Sequence, residues 1–396
     1  MTRGRDKETI KKRDPGIDLI RVIACLLVIG IHVDVMGTGD NSKLLIRLLL
    51  SDGVTLFFIL SGFFFFKKGF ADTLKRTLRG IVFPGVLVML LSYQFAPFIR
   101  HEQSAFYCLT HINFDICMFI TDLLSWGGSI RENLAGHLWY IFTYLELVLA
   151  YPLLKPLYTY SVNNGNSNVD KNMLYAGDKY CRYRWFIIGF IFINQIIMDL
   201  NMTGLISLFP VQISPFMLYT APAMLLMIGA EIGHLKQLIK SKSRKIGIIV
   251  LIVCVMTFIA RFFMQKLVFS YNQSQDFYLY WNCAFATVQS TAFVVMIMCM
   301  DLRENRIVNF IARAGRYTFY IYLLHYGLYY MFYYRYEPDW SFGLIDMTGG
   351  YDTMAKELMH ILVRVSTVFI MSLVLSFLIV KITEYLKRAK QEISSK

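Results

Sequence analysis

The chain has 396 residues, of which 56% are hydrophobic and 17% are charged. About a quarter of the residues in a soluble domain are charged, so this composition excludes an ordinary soluble enzyme and indicates a membrane protein with several spans. The net charge of +13 is not evidence for nucleic-acid binding, because the Lys and Arg residues fall in alternate loops, as they do in membrane proteins.

A window of about 20 residues moved along the chain finds ten candidate transmembrane helices. They lie near residues 17–36, 44–66, 80–99, 137–157, 185–204, 213–234, 246–264, 277–300, 308–334 and 358–383. We therefore predict an all-α polytopic membrane protein. Its membrane domain covers residues 17–385, between a basic tail at 1–16 and a second tail at 386–396.

Basic residues mark one side of the predicted membrane domain. They cluster in the N-terminal tail and near residues 67–79, 171–184, 236–245, 303–306 and 387–390, and the intervening loops carry almost none. By the positive-inside rule both termini are cytoplasmic, which requires an even number of spans. The first apolar run is too long for a signal peptide and lacks a small-residue cleavage site, so we predict that it is retained as the first span.

Two loops are long enough to be considered separately. Residues 100–136 form the longest outer loop, and the aromatic stretch 105–126 predicts an interfacial helix or a lid. Residues 161–182 form an asparagine-rich cytoplasmic linker, to which we assign no chemistry. The seven cysteines show no metal-binding spacing, and a disulfide between Cys108 and Cys117 stays open at this point.

The first span contains two ionisable residues, Arg21 and His32, which are eleven positions apart. A charged side chain near the bilayer centre costs roughly 3 kcal/mol on insertion scales, so a residue of this kind is a functional candidate by default. A helix rises about 1.5 Å per residue, so the predicted topology places Arg21 near the cytoplasmic face and His32 roughly 16 Å nearer the outer face.

Three histidines from three predicted spans are expected to lie at the same depth in the membrane. His137 marks the outer end of the fourth span, and His325 lies seventeen residues into the ninth, so both are level with His32. Asp34 and Asp52 lie at the same level and are candidates to orient an imidazole, which could then take a proton from a hydroxyl. A zinc site and an ordinary interfacial role for the histidines are the alternatives.

The segment between the second and third spans is a candidate phosphate site. It carries Lys67, Lys68, Lys75, Arg76 and Arg79. The two arginines are one helical turn apart and similar in depth to Arg21, and guanidinium groups suit bidentate contacts with phosphate. The alternative is that these charges only anchor the segment at the cytoplasmic face.

Four motifs, taken in order, resemble the acyltransferase-3 family of membrane proteins, which O-acylate surface sugars and related acceptors with acyl groups from cytoplasmic acyl-CoA. They are Arg21 followed by His32, Gly53-Val-Thr-Leu-Phe-Phe-Ile-Leu-Ser-Gly-Phe63, His137-Leu-Trp-Tyr140 leading to Tyr151-Pro152, and Gly315-Arg-Tyr-Thr-Phe-Tyr-Ile-Tyr-Leu-Leu-His325. The resemblance covers residues from about 15 to 385. It implies a stand-alone member without an added hydrolase-like or racemase domain.

The sequence departs from the family pattern at two places. The spacing of the basic pair is Arg76-x-x-Arg79, whereas some members have Arg-x-Arg. Thr55 stands where many members carry Asp, so no carboxylate role transfers to this position.

The resemblance and the depth assignment together imply roles for particular residues. We expect His32 to act as general base and Asp34 to orient it, with Arg21 and His137 in the same catalytic set and Tyr140, Tyr322 and His325 as oxyanion donors. We expect acyl-CoA to bind to Arg21, Lys67, Lys68, Arg76 and Arg79, with Ser61 beside its pantetheine arm or as a covalent carrier.

Acyl-CoA is expected as a cosubstrate, with no permanently bound cofactor and no metal. The expected acceptor is a hydroxyl of a surface glycan or another envelope molecule, and acetyl is the first candidate acyl group, with succinyl or another short chain also compatible. Membrane lipids and a second copy of the chain are the other expected partners, and the bacterial plasma membrane is the expected location.

Two alternatives from other functional classes remain. Intramembrane Arg and His also occur in transporters and exporters, although those proteins usually place polar groups near the midplane and show repeat symmetry. A sensor or partner-binding membrane domain is the third interpretation, for which the short soluble loops leave little room.

Overall fold

The computed structural model describes residues 14–32, 41–100, 102–113, 115–124, 136–158, 179–205, 220–272, 282–302, 305–332 and 354–394. Every regular element within these ranges is a helix. The predicted all-α class is therefore confirmed for the described part of the chain.

The α-helices of the described residues, in chain order, are α1 (Pro15–His32), α2 (Asn41–Leu50), α3 (Gly53–Phe65), α4 (Phe70–Thr77), α5 (Phe83–Ile99), α6 (Ala105–Thr110), α7 (Ile116–Leu124), α8 (Trp139–Leu149), α9 (Tyr151–Leu154), α10 (Lys179–Met202), α11 (Thr220–Ser241), α12 (Ser243–Asn272), α13 (Ala284–Cys299), α14 (Arg306–Ala314), α15 (Thr318–Tyr330) and α16 (Met354–Ser394). A π-helical segment, Leu78–Val82, joins α4 to α5, and short 3₁₀ turns precede α8 and follow α9.

Six helical stretches in the described residues are long and apolar enough to cross a membrane. They are Pro15–His32, Leu44–Phe65, Phe70–Ile99, Tyr183–Met202, Ser243–Tyr271 and Leu358–Ala389. A seventh is added if Gly136–Leu149 and Tyr151–Tyr158, which meet at a bend of 53°, form one span. The chain is thus a multi-pass membrane protein.

Each of the ten predicted segments overlaps a helix, but the count of ten spans stays a prediction. The segment at 277–300 contains α13, an apolar helix of 16 residues, and the segment at 308–334 is divided into α14 and α15. A helix of about 20 residues is needed to cross the hydrocarbon core, so neither α13 nor α15 qualifies by length alone.

Helix α3 lies at the centre of the packing and makes its closest contact with α11. Gly62 of α3 faces the backbone of Leu226, and Gly229 of α11 faces the backbone of Ile59, so closely that a Cβ atom at either glycine would overlap a carbonyl oxygen. Small residues at a crossing allow two helix backbones to approach in this way within a membrane. The resemblance motif that contains Gly62 therefore has a packing function.

Helix α1 packs against α3, α14, α15 and α16, and α12 packs against α13. Gly53 at the start of α3 meets α1, where an added Cβ would lie 2.9 Å from the carbonyl oxygen of Ala24. This contact sets the distance between α1, which carries Arg21 and His32, and α3, which carries Ser61.

The bend between α8 and α9 has a proline at its origin. Pro152 occupies the first turn of α9, and a proline lacks the N–H that would continue the helical hydrogen bonds of α8. The Tyr151-Pro152 motif therefore turns the chain towards the loop that follows α3.

Two buried ion pairs tie distant segments together. Asp52, at the junction of α2 and α3, accepts a hydrogen bond of 2.6 Å from Arg261 of α12, and Arg184 of α10 donates one of 2.8 Å to Glu231 of α11. Asp52 was expected to orient an imidazole. Instead it lies against the fully buried guanidinium of Arg261, which compensates its charge.

The segment predicted as the outer loop contains two short helices, α6 and α7, whose large apolar side chains include the exposed Phe106 and Leu109. Its role as an interfacial helix or a lid stays a prediction. Cys108 is buried and Cys117 is exposed, and both are free thiols, so the pairing considered above is not formed.

Candidate active site

Arg21 is positioned by a carboxylate one turn earlier on α1. Its Nη1 lies 2.9 Å from Oδ1 of Asp18, and Asp18 is 1% exposed whereas Arg21 is 28% exposed. The guanidinium also lies over the ring of Phe64, 5.3 Å from its centroid. Arg21 is therefore held by two contacts while part of its charge stays accessible.

Asp18 is buried beneath the turn between α14 and α15. A Cβ atom at Gly315 would lie 2.8 Å from the Cβ of Asp18, so only glycine fits at this contact without a shift of its neighbours. The first residue of the fourth resemblance motif thus touches the partner of Arg21. Asp18 was not among the residues predicted from the sequence, although its spacing of three residues from Arg21 on one helix was a usable signal.

A cavity of about 420 Å³ begins beside Arg21. This volume lies within the range of roughly 300–1,000 Å³ that small-molecule sites occupy. Half of its lining residues are aromatic, and the lining comes from five parts of the chain: Arg21, Phe57, Leu60, Ser61, Phe64, Gly80, Ile81, Tyr140, Tyr144, Thr318, Phe319 and Tyr322. Four predicted site residues, namely Arg21, Ser61, Tyr140 and Tyr322, therefore line one space.

The hydroxyl groups in the cavity wall have defined partners. Ser61 donates to the carbonyl of Phe57 at 2.9 Å, and its oxygen lies 3.2 Å from the hydroxyl of Tyr140. Because the single proton of Ser61 is used on Phe57, Tyr140 is the donor in the Ser61–Tyr140 contact. Tyr322 donates to the backbone carbonyl of His137.

The three predicted histidines do meet. The ring centroid of His325 lies 5.5 Å from that of His32 and 4.8 Å from that of His137. Tyr326, which the sequence analysis did not select, lies 4.7 Å from His32 and 5.0 Å from His137 by the same measure. Tyr326 follows His325 directly in the chain, but its position between two other histidines is a tertiary property.

Two of the histidines have a defined tautomer. Nδ1 of His325 lies 2.6 Å from the carbonyl oxygen of Tyr322, and Nε2 of His137 lies 3.3 Å from that of Leu323. A carbonyl only accepts, so each of these nitrogens carries the proton of its neutral ring. The other nitrogens, Nε2 of His325 and Nδ1 of His137, are buried without a hydrogen-bond partner among the described residues.

This tautomer changes what His325 can do. We predicted it as an oxyanion donor, but in its neutral form the nitrogen not bound to Tyr322 presents a lone pair, which accepts a proton. Tyr322 was predicted in the same role, yet its hydroxyl is engaged by the carbonyl of His137. Tyr140 also lines the cavity, and its hydroxyl donates to the side chain of Ser61 rather than to a backbone carbonyl. Asp34 lies outside the described residues.

The basic residues predicted to bind phosphate lie on the surface at the Arg21 end of the cavity. Lys67, Lys68, Arg76 and Arg79 are exposed. Among the described residues neither of the two arginines has a carboxylate partner. Arg79 lies in the π-helical segment immediately before the cavity residues Gly80 and Ile81. Segments of this kind occur frequently at functional sites.

The bent segment after α8 holds the loop that carries Lys67 and Lys68. The hydroxyl of Tyr151 donates to the carbonyl of Lys68, and the ammonium of Lys155 donates to the carbonyl of Phe66. These carbonyls at the end of α3 have no partner within the helix, so both side chains act as caps. They also fix the path from the cavity wall to the basic helix α4.

Comparison with known proteins agrees with these motifs. The family model described as Acyltransferase domain, of the acyltransferase-3 family, matches residues 14–381. Comparisons with curated proteins and with solved structures gave no match. The matched range contains α1, the cavity and the histidine cluster together. The chain therefore belongs to the acyltransferase-3 family and is a multi-pass membrane acyltransferase.

Proposed function

We propose that the protein transfers an acyl group, acetyl in the first instance, from cytoplasmic acyl-CoA to a hydroxyl of a cell-surface glycan or a related envelope acceptor. The observation that carries this proposal is the cavity between Arg21 and Tyr322, because Tyr322 also contacts two of the three histidines. Its ring centroid lies 5.5 Å from that of His137 and 5.8 Å from that of His325.

The dimensions of the site suit a long, thin donor. Arg21 and His32 are separated by roughly 16 Å along α1, at about 1.5 Å per residue. In the proposed arrangement the Arg21 end is cytoplasmic and receives the phosphates of CoA. The pantetheine arm lies along the aromatic walls, and the thioester reaches Tyr140 and Tyr322. The acceptor hydroxyl approaches from the histidine end, in a plasma membrane of bacterial type.

The proposed reaction is a direct acyl transfer. The acceptor oxygen attacks the thioester carbonyl carbon, and His32 accepts the hydroxyl proton as general base. The hydroxyl of Tyr140 turns from Ser61 to the carbonyl oxygen and donates to it as negative charge develops there. The C–S bond then breaks, the proton passes to the CoA sulfur, and the products are an ester and free CoA thiol. Asp34 remains the proposed orienting partner of His32.

A relay through an acyl-serine at Ser61 is supported less well. A serine nucleophile needs an adjacent base, and the hydroxyl of Ser61 donates to a backbone carbonyl instead. No histidine is among its described hydrogen-bond partners. Ser61 is better placed to contact the donor as part of the cavity wall.

The proposal is tested by incubating detergent-solubilised protein with acetyl-CoA and measuring free CoA thiol with a chromogenic thiol reagent. We expect thiol release above that of a mock preparation, with water or an added glycan as acceptor. Mass spectrometry of envelope glycans from cells with and without the protein identifies the acceptor. If the protein neither binds nor turns over any acyl-CoA, the proposal is contradicted and the alternative function as an exporter is favoured.

The exposed arginines Arg76 and Arg79 form a basic rim at the Arg21 end of the cavity. We expect this rim to contribute to the affinity for the acyl-CoA donor. The variant Arg76→Gln/Arg79→Gln should raise the KM for acetyl-CoA about tenfold or more with little change in kcat, because each lost charged contact costs roughly 1.5–3 kcal/mol. Arg316→Gln should act in the same direction. Arg316 is exposed and lies between Gly315, which packs on Asp18, and the cavity residue Thr318.

Arg306→Gln is the matched control for the rim variants, because it removes an exposed arginine at the far end of α14. Initial rates over a range of acetyl-CoA concentrations give KM and kcat for each protein. If the rim variants change KM no more than Arg306→Gln does, the phosphate-binding role of the rim is wrong.

A further inference from the structure

Three aromatic rings in mutual contact form a layer at the end of the cavity where Tyr322 meets the histidine cluster. Phe57, Tyr140 and Tyr322 line the cavity, and Phe57 lies 6.0 Å from Tyr140 and 6.1 Å from Tyr322 between centroids. The ring centroids of Tyr140 and Tyr322 lie 5.6 Å apart. Carbon atoms in contact lie about 3.5–4 Å apart, so a methylene chain cannot pass between the three rings unless one of them moves.

Two rings of this layer are tethered and the third is not. Tyr322 is bonded to the carbonyl of His137, and Tyr140 to Ser61. Phe57 has no polar group and is held by packing alone, against all three of the larger hydrophobic clusters of the described core. Phe57 is thus the ring whose size can be changed without breaking a hydrogen bond.

The layer lies where the acyl group of the donor must be. Phe57 and Phe64 line the cavity and are seven residues apart on α3, which corresponds to roughly 10 Å along the helix axis. The rings of His137 and His325 lie next to Tyr322. A donor that enters beside Arg21 and fills the cavity therefore brings its thioester to the layer, and the acyl carbons must fit among the three rings.

We propose that Phe57, Tyr140 and Tyr322 form an acyl-length selector that accepts a two-carbon acyl group and rejects longer chains. This proposal rests on the proposed function, because it assigns the specificity of the same cavity. One additional methylene in an apolar pocket changes the specificity constant by about 10- to 200-fold. The wild-type protein should therefore strongly prefer acetyl-CoA to butyryl-CoA.

The test measures kcat/KM for acetyl-CoA and for butyryl-CoA from the release of CoA thiol by purified protein. In Phe57→Ala the ratio of butyryl to acetyl activity should rise at least about tenfold, because the layer opens by one ring. Phe57→Leu should give a smaller rise and serves if the alanine variant does not fold.

Phe63→Ala is the matched control. Phe63 lies on the same helix and is buried against Gly233 of α11, but it does not line the cavity. Phe63→Ala should lose about as much stability as Phe57→Ala and should keep the wild-type ratio of butyryl to acetyl activity. If the wild-type protein releases CoA but the Phe57 and Phe63 variants have the same ratio of butyryl to acetyl activity, only the selector proposal is overturned. Release from neither donor by the wild type would overturn the proposed function.

Discussion

Replacement of His32 by alanine is expected to reduce CoA release from acetyl-CoA by roughly 10²- to 10⁴-fold, the contribution of a positioned general base. His32 lies at the end of α1 opposite Arg21, with its ring 5.5 Å from that of His325. Its removal takes away the proposed proton acceptor but leaves the donor cavity intact. The loss should therefore appear in kcat, whereas the affinity for CoA should be close to that of the wild type.

His111→Ala is the appropriate control for this substitution. His111 is exposed, follows α6 and stacks on Tyr107 at 4.2 Å between centroids, far along the chain from the cluster. Both variants should elute from a size-exclusion column as the wild type does. Wild-type turnover in a folded His32→Ala variant would refute the assignment of His32 as the base, and loss of turnover in His111→Ala would show that the assay reports folding.

Addition of a single methyl group at the crossing of α3 and α11 is expected to destabilise the whole protein. In Gly229→Ala or Gly62→Ala the new Cβ would overlap a backbone carbonyl of the other helix, which cannot rotate away. Overpacking of a core typically costs 1–3 kcal/mol, and we expect these sites at or above about 3 kcal/mol because backbone must move. Thermal unfolding in detergent, followed by tryptophan fluorescence, measures the loss.

Two other glycines provide controls of the same chemistry. Gly189 of α10 and Gly327 of α15 also lie within helices, but a Cβ built at either position has no atom of another described segment within 4 Å. Alanine is favoured over glycine within a helix by roughly 0.5–1 kcal/mol, so Gly189→Ala and Gly327→Ala should be neutral or stabilising. Equal melting temperatures for all four variants would show that α3 and α11 are not in close contact.

The helical class and the main site residues could be predicted from the sequence because hydrophobic stretches and isolated ionisable residues are local signals. Arg21 and His32 stand out in an apolar helix, and His137 and His325 follow from their positions in other apolar segments. The structure brings the three histidines into one cluster, which depth alone could only place at one level.

Partners that come from segments far apart in the chain could not be predicted. Asp52 lies 209 positions from Arg261, and nothing near Asp52 in the sequence identifies that guanidinium as its partner. The carbonyl of Tyr322, which sets the tautomer of His325, could not be predicted for a different reason. That bond is local, but only the backbone geometry shows that the ring bonds to its own helix.

The spans were harder to delimit than to detect, since a hydropathy average does not register a turn made of apolar residues. In the segment 308–334 the window includes apolar residues on both sides of Gly315, and α14 therefore merges with α15. The bend at Pro152 and the π-helical segment at Leu78–Val82 are likewise changes of backbone path within apolar sequence.

The last helix, α16, contains 41 residues. At about 1.5 Å per residue it is roughly 60 Å long, twice the thickness of a hydrocarbon core of about 30 Å. Its final turns are exposed and carry an ion pair between Lys381 and Glu384. A continuous helix of this length is rigid, so a protein fused to its end is held in a fixed position. A reporter protein fused in helical register beyond Arg388 would keep a fixed orientation, and its side of the membrane would determine the direction of every other segment.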